Sequence, residues 1–144
     1  MSSVDDCRLV DLEKIEMAEG NLSPLYGGVQ VPFSIKRVFY LYDVPGGADR
    51  GAHAHRELQQ FIVAASGAFA VTVDDGQSKR TVSLNRSYNG LYVPNLIWTE
   101  VAGFCTGAIC LVFASLAYDE PDYIRDYQEF LASVRRPANG LDGR

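Results

Sequence analysis

The chain has 144 residues, 47% of them hydrophobic and 22% charged, with 13 basic against 18 acidic side chains and a net charge of −5. That length suits one domain with a real core, and the charge argues against nucleic acid as a partner, because phosphate binding wants a basic face. No apolar run is long enough to span a membrane, and the polar, acidic start Met1 to Cys7 has no signal-peptide core, so a cytoplasmic protein is expected.

From about residue 29 to 118 the chain reads as short strands punctuated by turns. Ser34 to Asp43 is rich in β-branched and aromatic residues and is broken by Val44-Pro45-Gly46-Gly47. Leu58 to Ala65 is a second run, ended by Ser66-Gly67. Ala68 to Val73 runs into Asp74-Asp75-Gly76, a hairpin-turn signal. Arg80 to Leu84, Gly90 to Val93 and Ala108 to Ser115 follow. Many short strands at regular spacing predict a sandwich or closed barrel such as a jelly roll. The last segment changes period. Pro121 is placed for a first helical turn after Asp119-Glu120, and Tyr123, Tyr127, Phe130, Leu131 and Val134 follow helical spacing. Arg135 and Arg136 suit the helix end, and Pro137 to Arg144 reads as a loose tail. The whole is expected to be one domain over 1–144, with its ordered core over about 8–135. Cys7, Cys105 and Cys110 are odd in number and lack metal-site spacing, so they read as reduced thiols, with Cys105 and Cys110 in the core.

The two histidines of the chain stand two apart, in Arg50-Gly51-Ala52-His53-Ala54-His55. In an extended segment, residues i and i+2 share a face. Two imidazoles aimed into one space point to proton transfer or to metal binding. The spacing from Gly47 through His53-Ala54-His55 and Gln60 to Gly67 resembles the first signature of the cupin superfamily. A glutamine, Gln60 or Gln59, stands where that signature places a carboxylate ligand, and Thr99 stands where its second half places a histidine. Two imidazoles with neutral partners make a poor transition-metal site, with Glu57 and Glu100 the remaining oxygen donors. The expectation is therefore a site with no metal.

A more specific resemblance covers about residues 8 to 135. VPFSIKRVFYLYDVP, RGAHAHRELQQ, VDDG, GLYVPNLIW and ASLAYDEPDYIRDYQEF are similar to the corresponding segments of the sugar 3,4-ketoisomerases. The resemblance implies an all-β, cupin-type jelly-roll barrel with a C-terminal α-helix, a homodimer and no metal or other cofactor. It implies as substrate a nucleotide-linked sugar, dTDP-4-keto-6-deoxyglucose, whose ketone moves from C4 to C3 in deoxysugar biosynthesis. The family's site residues match at Tyr40, Arg50, His53 and His55. Trp98-Thr99-Glu100 stands where the family has Trp-His-Glu, and Glu19-Gly20-Asn21-Leu22 where it often has Arg-Gly-x-Leu. Trp98, Thr99, Glu19 and Gln60, with Arg50, are thereby candidate sugar-binding residues.

The chemistry suits these residue types. A 3,4-keto shift removes the C3 proton beside the C4 carbonyl, passes through an enediol or enediolate, and returns a proton at C4. One base of near-neutral pKa can do the abstraction, and the resemblance points to His55, with His53 orienting the substrate or assisting the return. Arg50 is the candidate for holding a developing oxyanion or a phosphate. Tyr40 is the candidate proton relay between the C3 and C4 oxygens. No redox cofactor is needed, because the oxidation level is conserved within the substrate. Two other readings remain: a metal-free sugar-nucleotide epimerase of related fold, and a non-catalytic sugar-binding barrel.

Overall fold

In a computed structural model, residues 2–135 are described. Ten strands occur in this span: β1 (Arg8–Asp11), β2 (Arg37–Leu41), β3 (Arg50–His55), β4 (Gln60–Ser66), β5 (Phe69–Asp74), β6 (Lys79–Leu84), β7 (Asn89–Val93), β8 (Trp98–Ala102), β9 (Ile109–Ala114) and β10 (Tyr123–Ile124). A single helix, α1 (Tyr127–Val134), follows. The strands form two antiparallel sheets, in the orders β1-β7-β4-β9-β2 and β10-β3-β8-β5-β6. From β2 onward the chain crosses from one sheet to the other at almost every step, the exception being the β5–β6 hairpin. That alternation is the wiring of a jelly roll, as the strand spacing predicts.

Side-chain alternation divides the core in three. Ile62, Ala64, Leu91, Val93, Cys110 and Val112 face across to Val71, Val73 and Val101 and fill the space between the sheets. Phe61 and Val63 point the other way, and Leu12, Val31 and Phe33 of the first crossing segment cover them. β4 is thus buried on both faces, which is why it reads as an unbroken apolar run rather than an alternating one. On the outer face of the second sheet, Ala54, Trp98 and Ile124 pack under Phe130 of α1. Burying Phe130 completely contributes about 1.5–3 kcal/mol, which ties the helix to the sheet.

Several expectations are corrected. The helix does not begin near Tyr123. Glu120–Asp122 form one 3-10 turn with Pro121 in it, and Tyr123 and Ile124 pair with His55 and Ala54 as β10. The helix starts only at Tyr127, after Asp126, whose side chain accepts from the Glu129 amide at 2.9 Å. β1 was not expected. Cys105 is exposed, whereas Cys7 and Cys110 are buried, and burial pushes both of those thiols up to about 12. Asp74-Asp75-Gly76 does join β5 to β6, and Asp75 accepts from the Gln77 and Ser78 amides. Arg136 and the tail from Pro137 to Arg144 lie outside the described residues.

Candidate active site

β3 carries both imidazoles inward, while Ala54 between them faces the outer cluster. The ring centroids of His53 and His55 are 4.8 Å apart and nearly perpendicular. His53 pairs with Thr99 in register and Arg50 with Val101, so the strand bulges between them. Gly51 sits in that bulge at φ +61°, a conformation that favours glycine. Phe39, Leu41, Gly51, His53, Gln60 and Thr99 line a small cavity between the sheets. The neutral side chains of Gln60 and Thr99 therefore stand beside His53, where the cupin signature would place ligands. Glu100 faces outward and accepts a hydrogen bond from Trp98 Nε1 at 3.0 Å, so it is not turned toward the histidines.

β10 completes the site. Tyr123 lies opposite His55 in the ladder, and its ring centroid is 4.4 Å from that of His55 and 4.9 Å from that of His53. The residue before it, Asp122, is 7% exposed. One carboxylate oxygen contacts His55 Nδ1 at 3.1 Å and accepts from the Leu58 amide at 3.3 Å, while the other accepts from the Glu57 amide at 2.8 Å. Asp122 thereby fixes both the ring and the loop that follows it. Around these groups, Arg125 lies over the Tyr123 ring at 4.2 Å and is held by Glu120 through two hydrogen bonds of 2.7 and 2.9 Å. Tyr118 donates to the same carboxylate at 2.6 Å.

Electrostatics favour neutral imidazoles. Burial lowers His53 from 6.5 to about 4, with the charges of His55 and Arg125 pushing the same way and Glu120 opposing. His55 is also lowered, first by burial, against the raising effect of Asp122. At neutral pH the His55–Asp122 contact is therefore a hydrogen bond from a neutral ring to a carboxylate rather than an ion pair. That bond puts the proton on Nδ1 and leaves Nε2 as a free base.

Not every candidate from the sequence reaches this place. Tyr40 is 57% exposed and pairs with Leu111, whose neighbours belong to the outer cluster. The inward residues of β2 are Phe39 and Leu41, so Tyr40 is turned away from the histidines. Trp98 is likewise outward, packed on Tyr127 and Phe130. Arg50 is exposed at the start of β3 and is not part of the cavity lining. Glu19 is exposed at a turn between the bridged residues Ile15 and Leu22. Four groups near the imidazoles were missed: Asp122, Tyr123, Arg37 and Tyr118. The acidic run Asp119 to Asp122 was read as a helix start, which hid both Asp122 and Tyr123. Nothing in local spacing links Asp122 to His55, 67 residues away.

The chain matches the family model FdtA, described as WxcM-like, C-terminal, over residues 5–135. It is 38% identical over 123 residues to a TDP-4-oxo-6-deoxy-α-D-glucose-3,4-oxoisomerase from Aneurinibacillus thermoaerophilus, covering 85% of this chain and 88% of that one. The structure superposes with a TM-score of 0.89 on QdtA, a sugar 3,4-ketoisomerase from Thermoanaerobacterium thermosaccharolyticum in complex with TDP, at 32% identity and covering 92% and 96% of the two chains. WlaRB, a TDP-quinovose 3,4-ketoisomerase from Campylobacter jejuni, gives 0.85 at 40% identity over 88% and 98%.

Proposed function

The chain belongs to the FdtA family, and from that premise we propose that it is a cupin-type 3,4-ketoisomerase acting on TDP-4-keto-6-deoxyglucose. The observation that carries the mechanism is the buried His55–Asp122 hydrogen bond. It supplies one neutral imidazole with a fixed tautomer, packed against the rings of His53 and Tyr123. His55 Nε2 takes the C3 proton. The electron pair moves into the C3–C4 bond, and the C4 carbonyl becomes an enolate oxygen. The proton on the C3 oxygen passes to the C4 oxygen and the proton taken from C3 returns to the C4 carbon, which completes the shift, so no electron leaves the sugar. His53, held neutral beside His55, assists the return. With Tyr40 turned outward, the phenol placed to relay a proton is that of Tyr123.

The chemistry needs no metal, and the neutral Gln60 and Thr99 beside His53 support a metal-free site. The homodimer is supported by Val38 and Tyr40 of β2 and Tyr42 just after it, which leave an exposed apolar stripe at the edge of the sheet. Free thiols at Cys7, Cys105 and Cys110 support a reducing, cytoplasmic location. Among the described residues no helix is long and apolar enough to cross a membrane.

His55→Asn tests the base directly. It keeps the size of the side chain but has no group that titrates near neutrality. We expect kcat to fall by about two to four orders of magnitude, with substrate affinity changed far less. Near-wild-type turnover of this variant would remove His55 from the mechanism.

A further inference from the structure

Arg37 enters β2 on the same face as Phe39 and Leu41, whose side chains line the cavity beside His53. Its guanidinium lies 4.8 Å from the Phe39 ring and 5.6 Å from the Tyr118 ring. Tyr118 is 5.6 Å from Tyr123, which packs on His55. The cation is close enough to His55 that its charge opposes protonation of that ring. Yet among the described residues no ion pair holds it. Nε of Arg37 is buried without a hydrogen-bond partner, and among the described residues no carboxylate lies within ion-pair distance of the guanidinium. Buried donors are almost always satisfied, and an exception calls for an explanation. The other guanidiniums are differently placed. Arg125 is occupied by Glu120, and Arg50 is exposed at the start of β3, whereas Arg37 is half-buried.

We propose that Arg37, rather than Arg50, is the catalytic cation of this site, donating to the anionic oxygen that develops at C4 of the sugar when C3 loses its proton. The proposal rests on the ketoisomerase reading above. An anionic oxygen on this substrate has two sources, the enolate and the diphosphate. The run of contacts from Arg37 through Tyr118 and Tyr123 to His55, the base at C3, favours the enolate. A guanidinium whose Nε is buried and which lies against the Phe39 and Tyr118 rings is already in place before charge appears, so its effect falls on the transition state rather than on binding.

Arg37→Met and Arg37→Lys, assayed beside the wild type, test this. Turnover of TDP-4-keto-6-deoxyglucose and calorimetric binding of TDP are the two readouts, with circular dichroism confirming the fold. The expected result is a kcat lower by about a hundredfold or more in Arg37→Met, TDP affinity within about threefold of wild type, and partial recovery in Arg37→Lys. The acid limb of kcat/KM should also move to higher pH in Arg37→Met, because a positive neighbour of His55 is gone. Lost TDP affinity with kcat preserved would make Arg37 a diphosphate ligand and overturn the proposal. Unchanged kcat and unchanged affinity would overturn it as well. If Arg37→Met is misfolded, Arg37→Lys decides alone: wild-type kcat and an unmoved acid limb overturn the proposal. A wild-type enzyme that leaves the keto sugar unchanged would instead defeat the ketoisomerase reading, and this proposal with it.

Discussion

At the scale of single residues, the site depends on a contest between burial and one carboxylate. Desolvation drives both imidazoles toward the neutral form, and Asp122 only partly restores the basicity of His55. The free enzyme should therefore keep its kcat/KM constant as pH falls through 6.5, the ordinary imidazole value, and lose it only below. A midpoint at or above 6.5 would contradict the desolvated pair. Asp122→Asn removes the group that raises His55 and can turn the ring to the wrong tautomer. It should cut kcat by about a hundredfold and move the surviving acid limb further down. An acid limb that moves up would show that Asp122 is not the partner of His55. The same shifts affect stability. His53 titrates near pH 4 when folded and near 6.5 when unfolded, so the unfolded chain binds more protons between those values. Its contribution to stability is complete above pH 6.5 and is lost as pH falls toward 4.

At the scale of elements, what could be read from the chain was what depends on local period. The alternating or continuous apolar runs of β2, β4, β5, β6, β7 and β9 were legible, as was the shared face of His53 and His55. β10 was not, because the spacing of Tyr123 and Tyr127 fits a helix as well as a strand followed by a helix. Two ladder partners, His55 and Ala54, decide the matter, and they lie far away in sequence. Tyr40 failed for a related reason: alternation shows that β2 has two faces, but not which one looks inward. In the sequence Gly90 only opens the run Gly90 to Val93, whereas the structure shows its use. A Cβ there would lie 2.0 Å from Cε2 of Phe61, a fully buried ring. Gly90→Ala should therefore destabilise the fold by about 1–3 kcal/mol, seen as a lower Tm. Adding Phe61→Leu should return part of that loss by making room for the methyl group. Strictly additive effects of the two substitutions would show that they do not meet.

At the scale of the whole molecule, the jelly roll brings the distant Asp122, Tyr123 and Arg37 to the histidines that β3 supplies. No local pattern could have announced that convergence, whereas the family resemblance could announce the reaction. The exposed stripe of Val38, Tyr40 and Tyr42 predicts a dimer. Light scattering at micromolar concentration should give about twice the 15.8 kDa of one chain, and Tyr40→Glu should shift the balance toward monomer. A stable wild-type monomer would contradict that use of the stripe. The central claim is the position of the carbonyl in the product. Incubation of the purified protein with TDP-4-keto-6-deoxyglucose, followed by NMR of the sugar, measures it directly. The account predicts a 3-keto-6-deoxy sugar with C4 carrying a hydroxyl and a proton. A ketone that stays at C4, with inverted neighbours or with no change at all, would contradict it.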